Sequence, residues 1–112
     1  MDVSRLMNYY LITDRTQDGD HEYTDYIPVR SKKPVSEWDD NWCTLFLFWQ
    51  YCINWIEGDD LWSDNRIVRV DAIKEITKDE YETIGRLTEC CFIWEQIAED
   101  GAENLKEFKE DE

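Results

Sequence analysis

Histidine occurs once in this chain, at His21, while glycine occurs four times and proline twice in 112 residues. A Cys-His or Ser-His nucleophile would have to use that single imidazole. It stands next to Glu22, with nothing in the sequence to pair it with a nucleophile, and reads as an exposed turn residue. The glycines do not cluster, so no loop can cradle a phosphate with its backbone amides. Positive charge is scarce too: Lys and Arg total 12 against 27 Asp and Glu, a net charge of −15. Gripping phosphates needs clustered Lys and Arg, so direct nucleic-acid binding is excluded. An anionic membrane surface is excluded on the same ground. No apolar run reaches the roughly 20 residues of a membrane span. The opening, MDVSRLMNYY, lacks a basic region followed by an apolar run and a cleavage site, so the expected location is the cytoplasm, or the host cytoplasm for a phage-encoded protein.

Aromatic and acidic residues are plentiful. With 42% hydrophobic and 14% aromatic residues, the chain can bury the core of a single domain, 1–112. Residues 1–56 hold nine acids and five bases, and residues 57–112 hold eighteen acids and seven bases, so the negative charge lies mostly on the second half. The stretch WCTLFLFWQYCINWI, residues 42–56, carries twelve apolar or aromatic residues in fifteen. Acids bracket it on both sides, Asp39 and Asp40 before and Glu57, Asp59 and Asp60 after. It is therefore a core helix or a docking helix.

Residues 6–14 place Leu6, Tyr10 and Ile12 on one face of an alternation and Met7, Tyr9 and Leu11 on the other, as in a central strand. Asp18-Gly19 signals a hairpin turn. Residues 21–30 alternate again, with Tyr23, Ile27 and Val29 together and Pro28 favouring an edge. Ser36 and Asp39 resemble a capping box for a helix from Glu37 to Glu57, with Gly58 as its stop. Its main face runs through Trp38, Trp42, Leu45, Phe46, Trp49, Cys52, Ile53 and Ile56. Phe48, Tyr51 and Trp55 form a second, narrower stripe. A third strand follows at 66–76, with Val68, Val70 and Ala72 on one face. A capping box at Thr77 and Glu80 opens a helix to about Ala98, with a bend at Gly85. Residues from about 100 to 112 read as an acidic tail or a frayed last helix. The expected fold is α+β in the order β-β-α-β-α: a small three-stranded antiparallel or mixed sheet, strand order 2-1-3, with the helices on one face. A crossover between parallel second and third strands would be right-handed.

YYLITDRTQDGDHEYTDY, followed later by VDAIKEITKDEY, resembles a group of small bacterial and phage proteins of unassigned function. The resemblance covers about half the chain and implies the α+β shape. It implies nothing about chemistry.

Four features could carry function. Cys43, Cys52, Cys90 and Cys91 lack the paired two-to-four-residue spacing of zinc ligands and read as free, buried thiols, with no metal and no cofactor expected. The stretches DGDHE and EGDDLWSDN lack the calcium-loop pattern and read as turns. Glu95, Glu99, Glu103, Glu107 and Asp111 recur every four residues, a helical row spaced about 6 Å apart. Like charges at that spacing oppose helix stability, which hints at use; the alternative is a solvated face relieved by Lys106 and Lys109, with Gly101 as a candidate break in the row and its helix. The aromatics Phe48, Tyr51 and Trp55 form an exposed patch if no later helix covers them. A homodimer through this helix, or less readily a Trp-lined sugar site, would follow.

Two functional classes result, neither of them an enzyme; an enzyme ranks third, limited by one unpaired histidine and no motif. In the first, Glu95, Glu99, Glu103, Glu107, Asp59 and Asp60 contact a protein partner with a basic surface. The chain would then be an inhibitor from a phage or mobile element, anti-CRISPR-like or a nucleic-acid mimic, filling a host protein's nucleic-acid-binding surface. In the second, a bacterial regulatory or housekeeping domain dimerises or binds protein through Phe48, Tyr51 and Trp55.

Overall fold

The side chain of Thr77 accepts a hydrogen bond from the Glu80 amide at 3.1 Å, and the Glu80 carboxylate accepts one from the Thr77 amide at 2.9 Å. Each group satisfies an amide that the first helical turn leaves unpaired. This box opens the helix Lys78–Thr88 as the sequence predicts. The computed structural model describes residues 7–111. In chain order the elements are β1 (Asn8–Asp18), β2 (His21–Ser31), α1 (Trp42–Gln50), β3 (Trp55–Glu57), β4 (Asp60–Ser63), β5 (Arg66–Glu75), α2 (Lys78–Thr88), β6 (Phe92–Ile93) and α3 (Trp94–Glu110). Leu6 lies outside the described residues. Among those described, no helix is long and apolar enough to cross a membrane.

The class is α+β, with one six-stranded sheet in the order β3-β4-β5-β1-β2-β6. The expected three-stranded sheet is its centre, β2-β1-β5. Short strands extend it on both sides, and among the described residues only the β2–β6 pairing is parallel. β1 and β2 join through Gly19-Asp20, with Gly19 at φ 62. A positive φ at the first loop position suits a two-residue hairpin turn. β6 covers only Val29 and Arg30 of β2, so the rest of that edge, including Pro28, meets no described strand beyond β1.

The greasy segment departs from expectation at both ends. A 3-10 turn fills Val35–Glu37, and α1 begins at Trp42 behind Asn41, not at Glu37 behind Ser36. It ends at Gln50 because Tyr51 is extended, at φ −123 and ψ 154. Trp55 and Ile56 then belong to a strand rather than a helix. Gly58, at φ 61, turns β3 into β4 instead of stopping a helix. Aromatic and β-branched residues suit a strand as well as a helix, and a short apolar run does not separate the two periods. The stacked rings of Trp55 and Trp62, 4.7 Å apart, show the cross-strand contact that decides it.

Leu45, Phe46, Leu47 and Phe48 are consecutive and all buried, which requires cover on every side of α1. The sheet provides one side and α3 the other. Tyr10 packs edge-on against Trp38, which stacks at 4.0 Å on Trp94 of α3. The next residue back, Tyr9, points the opposite way and packs on Tyr81 of α2. The helices therefore do not share one face: α1 and α3 lie on one side of the sheet and α2 on the other. The expected single helix from 78 to 98 is broken by Glu89, which adopts φ 58, and by β6. Residues 94–110, read in part as a tail, form the helix that roofs the core.

Gly101 marks a close approach of α3 to the backbone of α1. A Cβ there would overlap the Leu45 carbonyl oxygen and lie 2.8 Å from its carbonyl carbon. Just beyond, the Asn104 side-chain amide donates to the Phe48 carbonyl at 2.9 Å, and Phe108 caps the Phe48 ring.

Candidate functional site

α3 is built as two opposed stripes. Trp94, Ile97, Gly101, Leu105 and Phe108 recur at three- and four-residue intervals and turn inward. On the other side stand Glu95, Glu99, Asp100, Glu103, Glu107 and Glu110, all exposed, with Lys106 and Lys109 as the helix's bases. At about 100° per residue, Glu99, Glu103 and Glu110 point within about 40° of one another, directly away from the core. Glu107 and Asp100 flank them. The four-residue row of the sequence is thus a spiral: each step advances about 40°, and Glu95 and Glu107 diverge by about 120°.

Electrostatically this face is compensated only in part: Lys106 falls between Glu95 and Glu99 around the helix, without an ion pair to either. The ion pairs among the described residues are Arg15–Asp71, Arg66–Asp64 and Arg69–Asp60, none of them on α3. Glu95 is partly committed, since its Oε1 accepts the Lys32 amide at 2.8 Å. Glu99, Glu103 and Glu107 have no such tie and project into solvent. Asp59 is exposed in the β3–β4 turn, whereas Asp60 pairs with Arg69 at 3.5 Å.

The aromatic set is dispersed. Phe48 is buried under Phe108, Tyr51 is half-buried with its hydroxyl held at the sheet, and Trp55 is exposed on β3. The expected stripe of three on one helix does not exist, because α3 covers its first member and the chain leaves the helix before its last. What remains exposed at β3 is Trp55 with Ile56.

A second polar constellation has no counterpart in the sequence reading. β1 continues its core-facing alternation past Ile12 to Asp14 and Thr16, both buried. Asp14 lies across from Asp25 of β2, beside a bulge at Asp71 of β5 that moves Ala72 to the open face and Ile73 to the covered one. The Tyr51 hydroxyl sits 3.0 Å from Thr16 Oγ1, 3.3 Å from Asp25 Oδ2 and 3.5 Å from Asp14 Oδ1. It has one proton to give. Burial first, and the neighbouring Asp25 charge second, push the Asp14 carboxyl up to about 7. Burial likewise pushes the Tyr51 phenol up to about 12, so it stays a neutral donor. The signal was in the chain: Asp14 keeps the two-residue register of Tyr10 and Ile12.

His21 is exposed at the far end of the hairpin, opposite Asp18 and stacked loosely on Tyr23. The cysteines are less buried than expected, with Cys52 and Cys91 exposed and Cys43 and Cys90 half-buried, all free. Burial pushes the Cys43 thiol up. In the folded protein a thiol reagent such as dithionitrobenzoate should modify Cys52 and Cys91 quickly and Cys43 slowly, since the thiolate is the reactive form. About four thiols should react after denaturation without reductant. Peptide mapping that found Cys43 labelled first would contradict this arrangement.

No protein-family model, no curated protein and no solved structure matches this chain.

Proposed function

We propose that this chain is a non-enzymatic acidic protein that docks through the outer face of α3 on a basic surface of a protein partner. The observation that carries the reading is the set Glu99, Glu103 and Glu107: exposed, outside every ion pair among the described residues, and aimed away from the core. Electrostatic steering by such a face raises association rates and disfavours acidic competitors. Inhibition of a host nucleic-acid-binding protein is the narrower form of the proposal. The charge spacing bears on it. Six acids and two bases over 17 residues leave a net −4 on α3. At 1.5 Å per residue that is about one charge per 6 Å, against about one per 3.4 Å along a DNA strand. The helix is a sparse substitute for one strand, and the rest of the −15 would have to contribute.

The test is the triple variant Glu99→Lys, Glu103→Lys and Glu107→Lys. Glu and Lys have similar helix propensities and exposed charges contribute little to folding, so melting should barely shift. A partner captured by the wild-type protein at low salt should bind the variant at least about tenfold more weakly, and added salt should erase the difference. For the narrower form, the partner's own nucleic acid should displace the protein. If the variant binds as tightly as wild type while Trp55→Ala does not, docking runs through the exposed β3 aromatics and this proposal fails.

A further inference from the structure

β2 leaves a long edge open. β6 covers it at Val29 and Arg30, and among the described residues no strand pairs with its outer side from His21 to Pro28. The direction of each backbone group on that edge follows from the hairpin. A two-residue turn makes Asp18 and His21 a bonded pair, and bonded and non-bonded pairs then alternate along the ladder. His21, Tyr23, Asp25 and Ile27 therefore commit their backbone groups to β1. Glu22, Thr24 and Tyr26 point theirs outward, and all three residues are exposed. Pro28 follows in the same parity with a carbonyl but no N–H to offer. Further on, the Lys32 amide keeps that parity, since it turns outward to the Glu95 carboxylate.

An open row of donors and acceptors takes up another strand. We infer that the occupant is the same edge of a second copy of this chain, antiparallel about a two-fold axis at Thr24, so that the two sheets become one. In this register Thr24 meets Thr24 of the second copy, Glu22 meets its Tyr26 and Tyr23 meets its Asp25. Glu22, Thr24 and Tyr26 each exchange both backbone bonds across the axis. Acids on a strand edge normally keep it single, but here each stands opposite a tyrosine and no charge directly faces a like charge. The neighbouring registers are worse. Centring the axis on Asp25 sets Asp25 against Asp25 and calls on Pro28, which cannot donate. Centring it on Tyr23 runs Tyr26 into the Gly19-Asp20 turn, where its bonds are lost.

The chain's charges and shape suit a second copy. His21 of one copy lies diagonally across from Asp25 of the other, about 7–8 Å along the backbones and within reach of an imidazole. Among the described residues no ion pair of its own chain reaches Asp25. Past Tyr26 the incoming turn arrives at an open cleft of about 490 Å³ beside β2, walled by Asp25, Ile27, Trp49 and Phe92. That space receives the turn, which a strand continuing straight on from β6 would have blocked. Residues 22–26 make a small contact beside the roughly 1,200–2,000 Å² of a stable interface. Both copies also carry a net −15. The dimer is accordingly weak, and salt should tighten it by screening the repulsion. Docking through α3 has the opposite salt dependence, and this inference does not rest on it, so the two fail separately.

The experiment is sedimentation equilibrium of the full chain up to about 1 mM, at low and high salt, with amide hydrogen exchange across the same range. A dimer should form, and more of it at high salt. The Glu22, Thr24 and Tyr26 amides should gain protection as concentration rises, while those of Tyr23 and Asp25 are protected throughout. In a mixture of labelled and unlabelled chains, Tyr23 Hα should show a contact to Asp25 Hα of the other copy, because non-bonded pairs approach most closely. Thr24→Pro removes the central donors and should weaken dimerisation about tenfold or more. Tyr23→Glu keeps every backbone group but sets an acid against Asp25, and should weaken it by a similar factor, so the test survives if the proline variant does not fold. Amide spectra report whether each variant is folded. A monomer at about 1 mM in high salt, a dimer that salt weakens, a dimer unchanged by the folded variants, or protection gained at β3 instead would each overturn the inference. So would a chain that stays monomeric while an extended lysine-rich peptide protects the Glu22, Thr24 and Tyr26 amides, an outcome that assigns the edge to a basic partner.

Discussion

Replacing Gly101 by alanine should destabilise the protein by about 3 kcal/mol or more, at the upper end of what overpacking costs. The sign is informative, because helix propensity alone predicts the reverse. Alanine in a helix interior is favoured over glycine by about 1 kcal/mol. Here the added methyl meets backbone, the Leu45 carbonyl, which has no rotamer to move into. α3 can accommodate it only by lifting off α1. That would stretch the Asn104 bond to the Phe48 carbonyl and open the Phe48–Phe108 contact. The neighbouring exposed Ala102 is the control: Ala102→Gly should lose only the propensity difference of about 1 kcal/mol. Urea unfolding of both variants checks the contrast. A Gly101→Ala protein as stable as wild type would mean that the two helices pack less closely than described.

Asp14→Asn should stabilise the protein at pH 8, by about 2 kcal/mol, and the gain should fade toward pH 4. In the fold the Asp14 carboxyl keeps its proton up to about 7, against an ordinary 3.8. Between those values the folded chain holds a proton that the unfolded chain has released. Stability contributed by this group is therefore full below about 3.8 and declines as pH rises to about 7. Asparagine has the same shape and carries no charge to bury. At low pH wild-type Asp14 is already neutral, so less remains to be gained. Because many acids titrate in this range, the quantity to measure is the wild-type-to-variant difference in unfolding free energy across pH. A difference independent of pH would show that Asp14 titrates alike in both states.

How far the sequence foretold these features depends on the range of the forces involved. The Gly19 turn, the Thr77–Glu80 box and the pairing of β1 between β2 and β5 rest on local chemistry and two-residue alternation, and were legible. The acids of α3 were legible as exposed residues for the same reason. Residues 51–57 were not, because Trp55 takes a strand conformation only when Trp62 stacks beside it. Gly101 looked like a helix interruption until α1 was placed against it. Asp14 stood at the end of the strand read from residues 6–14, and an acid there carries no local sign that it is buried. Its burial is imposed by Tyr51 and Gln50 arriving from a distant part of the chain, and by the bulge at Asp71.

The position of α3 as the roof of α1 also sets an order of assembly. β1 cannot complete its pairing until β5 is made, since Tyr10 meets Glu75. α1, apolar all round, cannot be covered until the last helix is made. A nascent chain released before residue 94 would leave the α3-facing side of α1 bare, the kind of surface that aggregates or engages chaperones. The helix that closes the core is also the one that carries the outward acids. Completion of the fold and display of its most acidic helical face are consequently one event in synthesis, so a truncated chain cannot present that face.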